Sequence, residues 1–69
     1  MTTIDARGFS CPEPVIMTNK AMSSNEPAYQ VIVDNPASRE NVTRYAEHRG
    51  YSVSCCEQNG EYTLDIVKT

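Results

Sequence analysis

The sequence predicts an α+β fold, a two-layer α/β sandwich in which two helices cover one face of a four-stranded mixed sheet. Three observations predict it: prolines stand where two helices begin, apolar and polar residues alternate near the end of the chain, and Asn59-Gly60 separates the last two strands. The order β-α-β-α-β-β places both helices on one side, because crossovers between parallel strands are right-handed. A chain of 69 residues forms one domain, residues 1–69.

The first strand and the first helix flank a glycine turn. Thr2–Arg7 is β-compatible and Gly8 ends it. Val15–Ser24 follows as a helix, and proline is tolerated in a helix's first turn because its missing N–H would have no partner there. With Pro12 as the first helical residue, Cys11 becomes the N-cap.

A second strand and a second helix follow with clear boundary signals. Ala28–Asp34 is rich in β-branched and aromatic residues and predicts a strand. Asn35 then serves as N-cap with Pro36 at the first helical position, and Gly50 supplies the stop.

The last two strands form a hairpin. Tyr51–Glu57 and Glu61–Lys68 alternate as half-buried strands. Because successive side chains on a strand point to opposite faces, the apolar set that includes Cys55 is expected to face the core. Cys56 is then expected on the open face of the sheet.

Composition and charge exclude several classes of function. Six Lys and Arg against nine Asp and Glu give a net charge of −3, which argues against direct nucleic-acid binding, because that depends on basic patches. No apolar run approaches the ~18 residues of a membrane span, and residues 1–5 lack the features of a secretory signal. A cytoplasmic protein with no membrane partner is expected. Three cysteines cannot all pair within the chain, so at least one free thiol is expected.

Cys11 is the candidate reactive residue. At a helix start, unpaired N–H groups and the positive end of the dipole stabilise a thiolate, and Pro12 and Pro14 stiffen this tip. Pro14 also stands where the second cysteine of a Cys-x-x-Cys redox pair would be, so the pattern suits a sulfur carrier better than a dithiol oxidoreductase. The residues alone leave open the simpler interpretation that Cys11 only caps the helix.

Three neighbours of Cys11 shape its expected surroundings. Gly8 permits a tight turn just before it. Arg7 supplies a cation that would favour a thiolate, whereas Glu13 supplies an anion that would oppose one. The sequence does not decide which of these two charges dominates.

The first helix also offers a candidate contact for a protein partner. On a helical wheel Ile16 lies outside the apolar arc of Val15, Met17, Ala21 and Met22, and shares the exposed side with Glu13 and Lys20. An exposed apolar residue beside a reactive cysteine predicts a contact with a protein that delivers or removes sulfur.

Metal binding and glycosylation are weaker alternatives. His48 with Cys11, Cys55 and Cys56 contains the donors of a Cys₃His zinc site, but Cys55 and Cys56 are adjacent on a strand and point apart, and the paired spacing of structural sites is missing. We therefore expect no metal and no cofactor. Asn41-Val42-Thr43 matches a glycosylation sequon, which has no role without secretion.

The Cys11 segment resembles a known family. Residues 5–14, Asp-Ala-Arg-Gly-Phe-Ser-Cys-Pro-Glu-Pro, are similar to the signature of the SirA/TusA/YedF family, whose mark is Cys-Pro-x-Pro opening the first helix. Residues 33–46, followed by Gly50-Tyr51, resemble the YedF branch in particular. The similarity covers essentially the whole chain and implies the same β-α-β-α-β-β sandwich. It also implies that Asp5 and Arg7 support the Cys11 loop structurally or electrostatically.

The resemblance implies a function as well. Proteins that resemble TusA relay sulfur as a persulfide on the motif cysteine, from a cysteine desulfurase towards partners that thiolate tRNA or build cofactors. YedF-like proteins are associated with selenium metabolism and usually carry a second, DsrE-like domain, which would follow Thr69. Cys11 is thus expected to carry sulfur between a protein donor and a protein acceptor. The residues leave open a regulatory or docking module, the choice between sulfur and selenium, and the oligomeric state.

Overall fold

The computed structural model describes residues 2–69 as two helices packed on one face of a four-stranded sheet. The elements in chain order are β1 (Thr2–Asp5), α1 (Glu13–Met22), β2 (Ala28–Val33), α2 (Pro36–His48), β3 (Tyr51–Gln58) and β4 (Glu61–Lys68). The strands lie in the order β1-β2-β4-β3, with β1 parallel to β2 and with β4 antiparallel to both of its neighbours. The predicted two-layer α+β sandwich is confirmed.

The boundaries of α2 are those that the sequence predicts. The Asn35 side-chain oxygen accepts a hydrogen bond from the Ser38 backbone N–H at 2.8 Å, which satisfies a donor at the helix start. Pro36 is the first helical residue and the helix ends at His48. Gly50 adopts φ +87°, a left-handed conformation that reverses the chain after the helix at little cost for glycine.

The first strand and the first helix both end earlier than predicted. β1 ends at Asp5 rather than at Arg7, and α1 ends at Met22 rather than at Ser24. Asn25 explains the second difference, because its φ of +56° turns the chain out of the helix while its N–H still donates to the Met22 carbonyl at 3.0 Å. Of the helices in residues 2–69, neither has the length and apolar character needed to cross a membrane.

The core lies between the sheet and the helices. On α1 the buried residues recur every four positions, and Thr18 donates its hydroxyl hydrogen to the Pro14 carbonyl at 2.8 Å, so this buried polar group is satisfied. Of the predicted apolar arc of α1, Met22 lies on that line, and the other three residues flank it and are partly buried against the core. The fully buried apolar side chains of the central strands and of α2 are Tyr29, Val31, Val33, Val42, Ala46, Leu64 and Ile66.

The prediction that Cys55 lies in the core is wrong. Cys55 pairs directly with Leu64, so both side chains point to the helix-covered face, yet Leu64 is fully buried and Cys55 is exposed. The cause is the strand order, because β3 is an edge strand with a neighbour on one side only. Every residue of β3 after Val53 is exposed. Cys56, on the other face, is exposed as expected.

Candidate functional site

Three connections meet at one edge of the sheet. β1 and β2 are parallel, so both carboxyl ends reach this edge, where the chain turns towards α1 and α2. The β3–β4 hairpin turns at the same edge, because Val33 at the end of β2 pairs with Tyr62 near the start of β4. We call this edge, formed by residues 6–12, 34–35 and 59–60, the Cys11 edge.

Cys11 lies in the turn before α1 with an exposed side chain, and its peptide bond to Pro12 is cis. The prediction that Cys11 is the N-cap is wrong. Pro12 has φ −98° and ψ 12°, so the helix starts one residue later, at Glu13, and no side chain caps it by a hydrogen bond. Backbone carbonyls accept the hydrogen bonds at the helix start instead. The Ser10 carbonyl accepts from the Glu13 N–H at 2.9 Å, and the Pro12 carbonyl accepts from the Ile16 N–H at 3.1 Å. The thiol therefore has no part in holding the helix together.

The Cys11 sulfur has a partner on the other helix. Asn41, in the second turn of α2 and half-buried, donates from Nδ2 to Cys11 Sγ at 3.1 Å. From the sequence, Asn41 is notable only as the start of a sequon, and the contact with Cys11 is not predicted. Thirty positions separate the two residues, so no local pattern connects them, and only the packing of α1 against α2 brings them together.

The Arg7 guanidinium is paired with the carboxylates of Asp5 and Glu61. Its Nε and Nη2 donate to the two oxygens of Asp5 at 2.9 and 2.8 Å, and its Nη1 lies 3.4 Å from Glu61 on the hairpin. The hydrogen-bonded guanidinium, followed by the Arg7 backbone N–H, lowers the pKa of Asp5 from its ordinary 3.8 to about 2. The same pairing raises the pKa of Arg7 above its ordinary value. Arg7 thus joins the end of β1 to the β3–β4 turn, which fits the supporting role expected for Asp5 and Arg7.

Gly8 makes the turn that the sequence predicts and adds a contact that it does not. Its φ is +84°, in the left-handed region that favours glycine, although an added Cβ would meet no atom within 4 Å. Its N–H donates to Asp34 Oδ2 at 2.7 Å. Asp34 follows β2, so this hydrogen bond ties the loop before Cys11 to the neighbouring connection. The hydrogen bond between Gly8 and Asp34 is not predicted from the sequence, because the two residues are 26 positions apart.

The remaining predicted residues lie on α1. Pro14 is fully buried and anchors the first turn of the helix to the core, whereas Glu13 is exposed in that same turn. Ile16 is 41% exposed and Lys20 is exposed, so both lie on the open side of α1 as expected. Phe9, two residues before Cys11, is 46% exposed, so apolar side chains stand on either side of the thiol along the chain.

The donors of the zinc alternative do not come together. Cys55 and Cys56 are on the edge strand with exposed side chains, and His48 is at the carboxyl end of α2, away from the Cys11 edge. Within residues 2–69, no group of three or more His, Cys, Asp and Glu side chains has the geometry to hold a metal ion. The Cys11 edge therefore presents a single exposed thiol, supported by an amide, an ion pair and a glycine turn.

Comparison with known proteins places these features in a family. The family described as sulfurtransferase TusA matches residues 2–68. A candidate sulfur carrier protein of Methanocaldococcus jannaschii is 38% identical over 70 aligned positions, covering 99% of this chain and 93% of that protein. The crystal structure of a SirA-like protein from Desulfitobacterium hafniense superposes with a TM-score of 0.89 at 42% identity, covering 97% of this chain and 96% of that one. The chain belongs to the TusA family of sulfur carriers and sulfurtransferases.

Proposed function

We propose that this protein carries sulfur as a persulfide on Cys11 and relays it from a protein donor to a protein acceptor. The observation that carries the proposal is the exposed Cys11 thiol, which takes no part in capping α1 and accepts a hydrogen bond from Asn41. Sulfur relay needs such a thiol, because both partner proteins must reach the same atom. The alternative of a docking module in which Cys11 is only a cap lacks this support, because no side chain caps α1 through a hydrogen bond.

Each residue around Cys11 has a part in this proposal. Asp5, Arg7 and Gly8 fix the loop before the thiol through the ion pair and the turn to Asp34. The residues that set the start of α1 behind the thiol are Pro12, Glu13 and Pro14. The transfer is thiol exchange between proteins, for which neither a metal nor a cofactor is needed.

The partners follow from the chemistry and from the exposed surface. A donor of the cysteine-desulfurase kind presents a persulfide, and an acceptor presents a thiolate, as a DsrE-like protein or domain would. Ile16 and Lys20 on the open side of α1 are the residues that we propose to contact them. A cytoplasmic setting belongs to the proposal, because a reducing compartment keeps the three thiols free.

The test measures sulfur on the protein. The protein is incubated with a cysteine desulfurase and cysteine, and its intact mass is recorded before and after treatment with a reductant. We expect a gain of one sulfur atom that the reductant removes and that Cys11→Ser abolishes. Cys56→Ser is the matched control, because it removes another exposed thiol on the edge strand and should leave the gain intact.

The same assay addresses the finer links to selenium and to tRNA thiolation. Selenocysteine in place of cysteine tests a selenium role through the mass of the added atom. Transfer of labelled sulfur onward to tRNA, in the presence of a thiolating enzyme, tests the second link. An unmodified wild-type protein, or sulfur that is retained in Cys11→Ser, would overturn the relay.

A further inference from the structure

We propose that Asn41 acts directly on the reacting sulfur: its side-chain N–H stabilises Cys11 Sγ as a thiolate when sulfur arrives and when it leaves. This inference rests on the proposed function of Cys11. Its basis is the 3.1 Å distance between Asn41 Nδ2 and Cys11 Sγ. Sulfur is a weaker acceptor than oxygen when neutral, so an amide N–H is best matched to the ionised form.

Asn41 is the hydrogen-bond donor to this sulfur, and the sulfur is its side chain's partner. Among residues 2–69, no second donor reaches Cys11 Sγ, and the Asn41 carboxamide makes no other hydrogen bond. A surface asparagine normally divides its hydrogen bonds between water and the backbone. Asn41 is half-buried, and its side chain forms its hydrogen bond with a single thiol. This arrangement is better explained by the chemistry of that thiol than by the stability of α2.

Within residues 2–69, no lysine or arginine side chain donates a hydrogen bond to Cys11 Sγ. Arg7 is held by two carboxylates, Arg39 lies 5.1 Å over the ring of Tyr62, and Arg44 is 3.6 Å from Glu40. The charged side chains of the Cys11 edge, of the residue that follows its hairpin turn, of the first turn of α1 and of residues 36–40 of α2 are Arg7, Glu13, Asp34, Arg39, Glu40 and Glu61. Four of these six are anionic, so the local charge does not by itself favour a thiolate. The Asn41 amide supplies a donor without a formal charge.

Sulfur transfer has two steps, uptake and delivery, and the Cys11 thiolate takes part in both. During uptake, the Cys11 thiolate attacks the terminal sulfur of the donor persulfide: a new S–S bond forms on Sγ, the donor's S–S bond breaks, and the donor thiolate leaves with the electron pair. During delivery, an acceptor thiolate attacks the same terminal sulfur and the Cys11 thiolate leaves. Each step is a displacement with no net oxidation. Sγ is therefore the nucleophile in one step and the leaving group in the other.

The two steps respond differently to the loss of the amide. A stabilised thiolate is more abundant at neutral pH but intrinsically less nucleophilic, so these effects partly cancel during uptake. A stabilised leaving group accelerates delivery without such a penalty. We therefore expect substitution of Asn41 to slow delivery more than uptake, which a merely structural role would not produce.

The first test uses a small electrophile and compares wild type with three variants. Asn41→Leu removes the donor at similar size, and Asn41→Asp replaces it with an anion of the same shape. Asn19→Asp is the matched control, because Asn19 lies on α1 and uses its side-chain oxygen to accept from Tyr45 and Arg49, which an aspartate preserves. Alkylation by iodoacetamide is followed by peptide mapping, with the exposed Cys56 as the internal reference in each tube.

The expected result is a change in the pH profile at Cys11 alone. At about pH 7, Asn41→Leu should react about threefold to tenfold more slowly than wild type, because the loss of a hydrogen bond to a charged group is partly offset by the higher nucleophilicity of the less stabilised thiolate. Asn41→Asp should react more slowly still. At strongly alkaline pH, where the supply of thiolate no longer limits alkylation, the Asn41→Leu rate should reach or exceed the wild-type rate. Asn19→Asp and the Cys56 reference should follow wild type throughout. Overlapping Cys11 profiles for wild type and both Asn41 variants, each folded by circular dichroism, would overturn the inference.

The second test separates this inference from the proposed function. Cys11 persulfide is formed with a desulfurase, and its uptake and its delivery to a thiol acceptor are timed separately. A wild-type protein that takes up no sulfur contradicts the relay itself, whatever the Asn41 variants do. A wild-type protein that takes up and delivers sulfur, together with Asn41→Leu that delivers at the same rate, contradicts only the role of Asn41.

Discussion

Arg7 binds Asp5 at two points across a single intervening residue, with Nε and Nη2 each directed at a different oxygen of the same carboxylate. A two-point contact fixes the orientation of both side chains more closely than a single hydrogen bond does. The contact lies where β1 ends and the loop that contains Cys11 begins. The third nitrogen of the guanidinium faces Glu61, so the same residue also joins this loop to the β3–β4 hairpin.

Asp5→Asn is expected to remove a pH-dependent part of the stability. Folding lowers the pKa of Asp5 from 3.8 to about 2, so the folded state favours the ionised carboxylate. The contribution is complete above about pH 5, because Asp5 is then ionised in the unfolded chain as well, and it is lost as the pH falls towards 2. Urea unfolding followed by circular dichroism should therefore show a stability difference between wild type and Asp5→Asn that is largest at neutral pH. A difference that stays constant down to acid pH would contradict this account.

Gly8→Ala is expected to destabilise the protein by about 1 kcal/mol, the usual cost of a left-handed conformation for a residue with a Cβ. The cost arises from the backbone alone, since an added Cβ at Gly8 meets open space. Gly8→Asn is the matched variant, because asparagine tolerates positive φ, and it should cost less than alanine. Urea midpoints of the three proteins measure the order. Equal losses for alanine and asparagine would indicate a steric cause instead.

Leu64 and Cys55 give a test of the sheet's order, because they are paired on one face and differ in burial. Leu64→Ala should cost about 2–5 kcal/mol, since it leaves a cavity in the core. Cys55→Ala should change the free energy of unfolding by less than about 0.5 kcal/mol, as is usual for exposed positions. Denaturant unfolding measures both. A large loss at Cys55 would mean that β3 is covered in solution.

The features predicted correctly from the sequence are those set by neighbouring residues. Asn35 and Pro36 define the start of α2 through capping and a fixed φ, and Asn59-Gly60 defines the hairpin through two positive φ values, +54° and +79°. These signals need no knowledge of the rest of the fold. The alternation of apolar and polar residues along β3 also predicts correctly that Cys55 lies on the helix-covered face of the sheet.

The features that were missed depend on the order of the elements in space. Alternation gives the face of a side chain but not whether its strand is central or at an edge, so the exposure of Cys55 could not be derived. The contacts of Asn41 with Cys11 and of Asp34 with Gly8 join residues far apart in the chain. Cys11 lies one residue before the N-cap, because Pro12 is not helical and α1 begins at Glu13.

Ile16→Ala is expected to slow sulfur transfer between proteins without changing the reactivity of Cys11 towards iodoacetamide. Ile16 is 41% exposed, on the open side of the helix that begins just after the thiol. Truncation of one of the few residues that dominate a protein contact costs more than about 1 kcal/mol, which corresponds to a transfer rate about fivefold lower or more. The rates are measured with a cysteine desulfurase as donor under conditions where complex formation limits the reaction.

Val67→Ala is the matched control for Ile16→Ala. Val67 is 48% exposed, so the two variants remove similar apolar surface, but Val67 pairs with Ala28 at the start of β2 and therefore lies at the end of the sheet opposite the Cys11 edge. The control should transfer sulfur at the wild-type rate. If Ile16→Ala and Val67→Ala slow transfer equally, the effect is not local to the thiol. If Ile16→Ala lowers alkylation and transfer together, Ile16 supports the loop rather than the partner contact, because a docking residue has no reason to alter the attack of a small molecule.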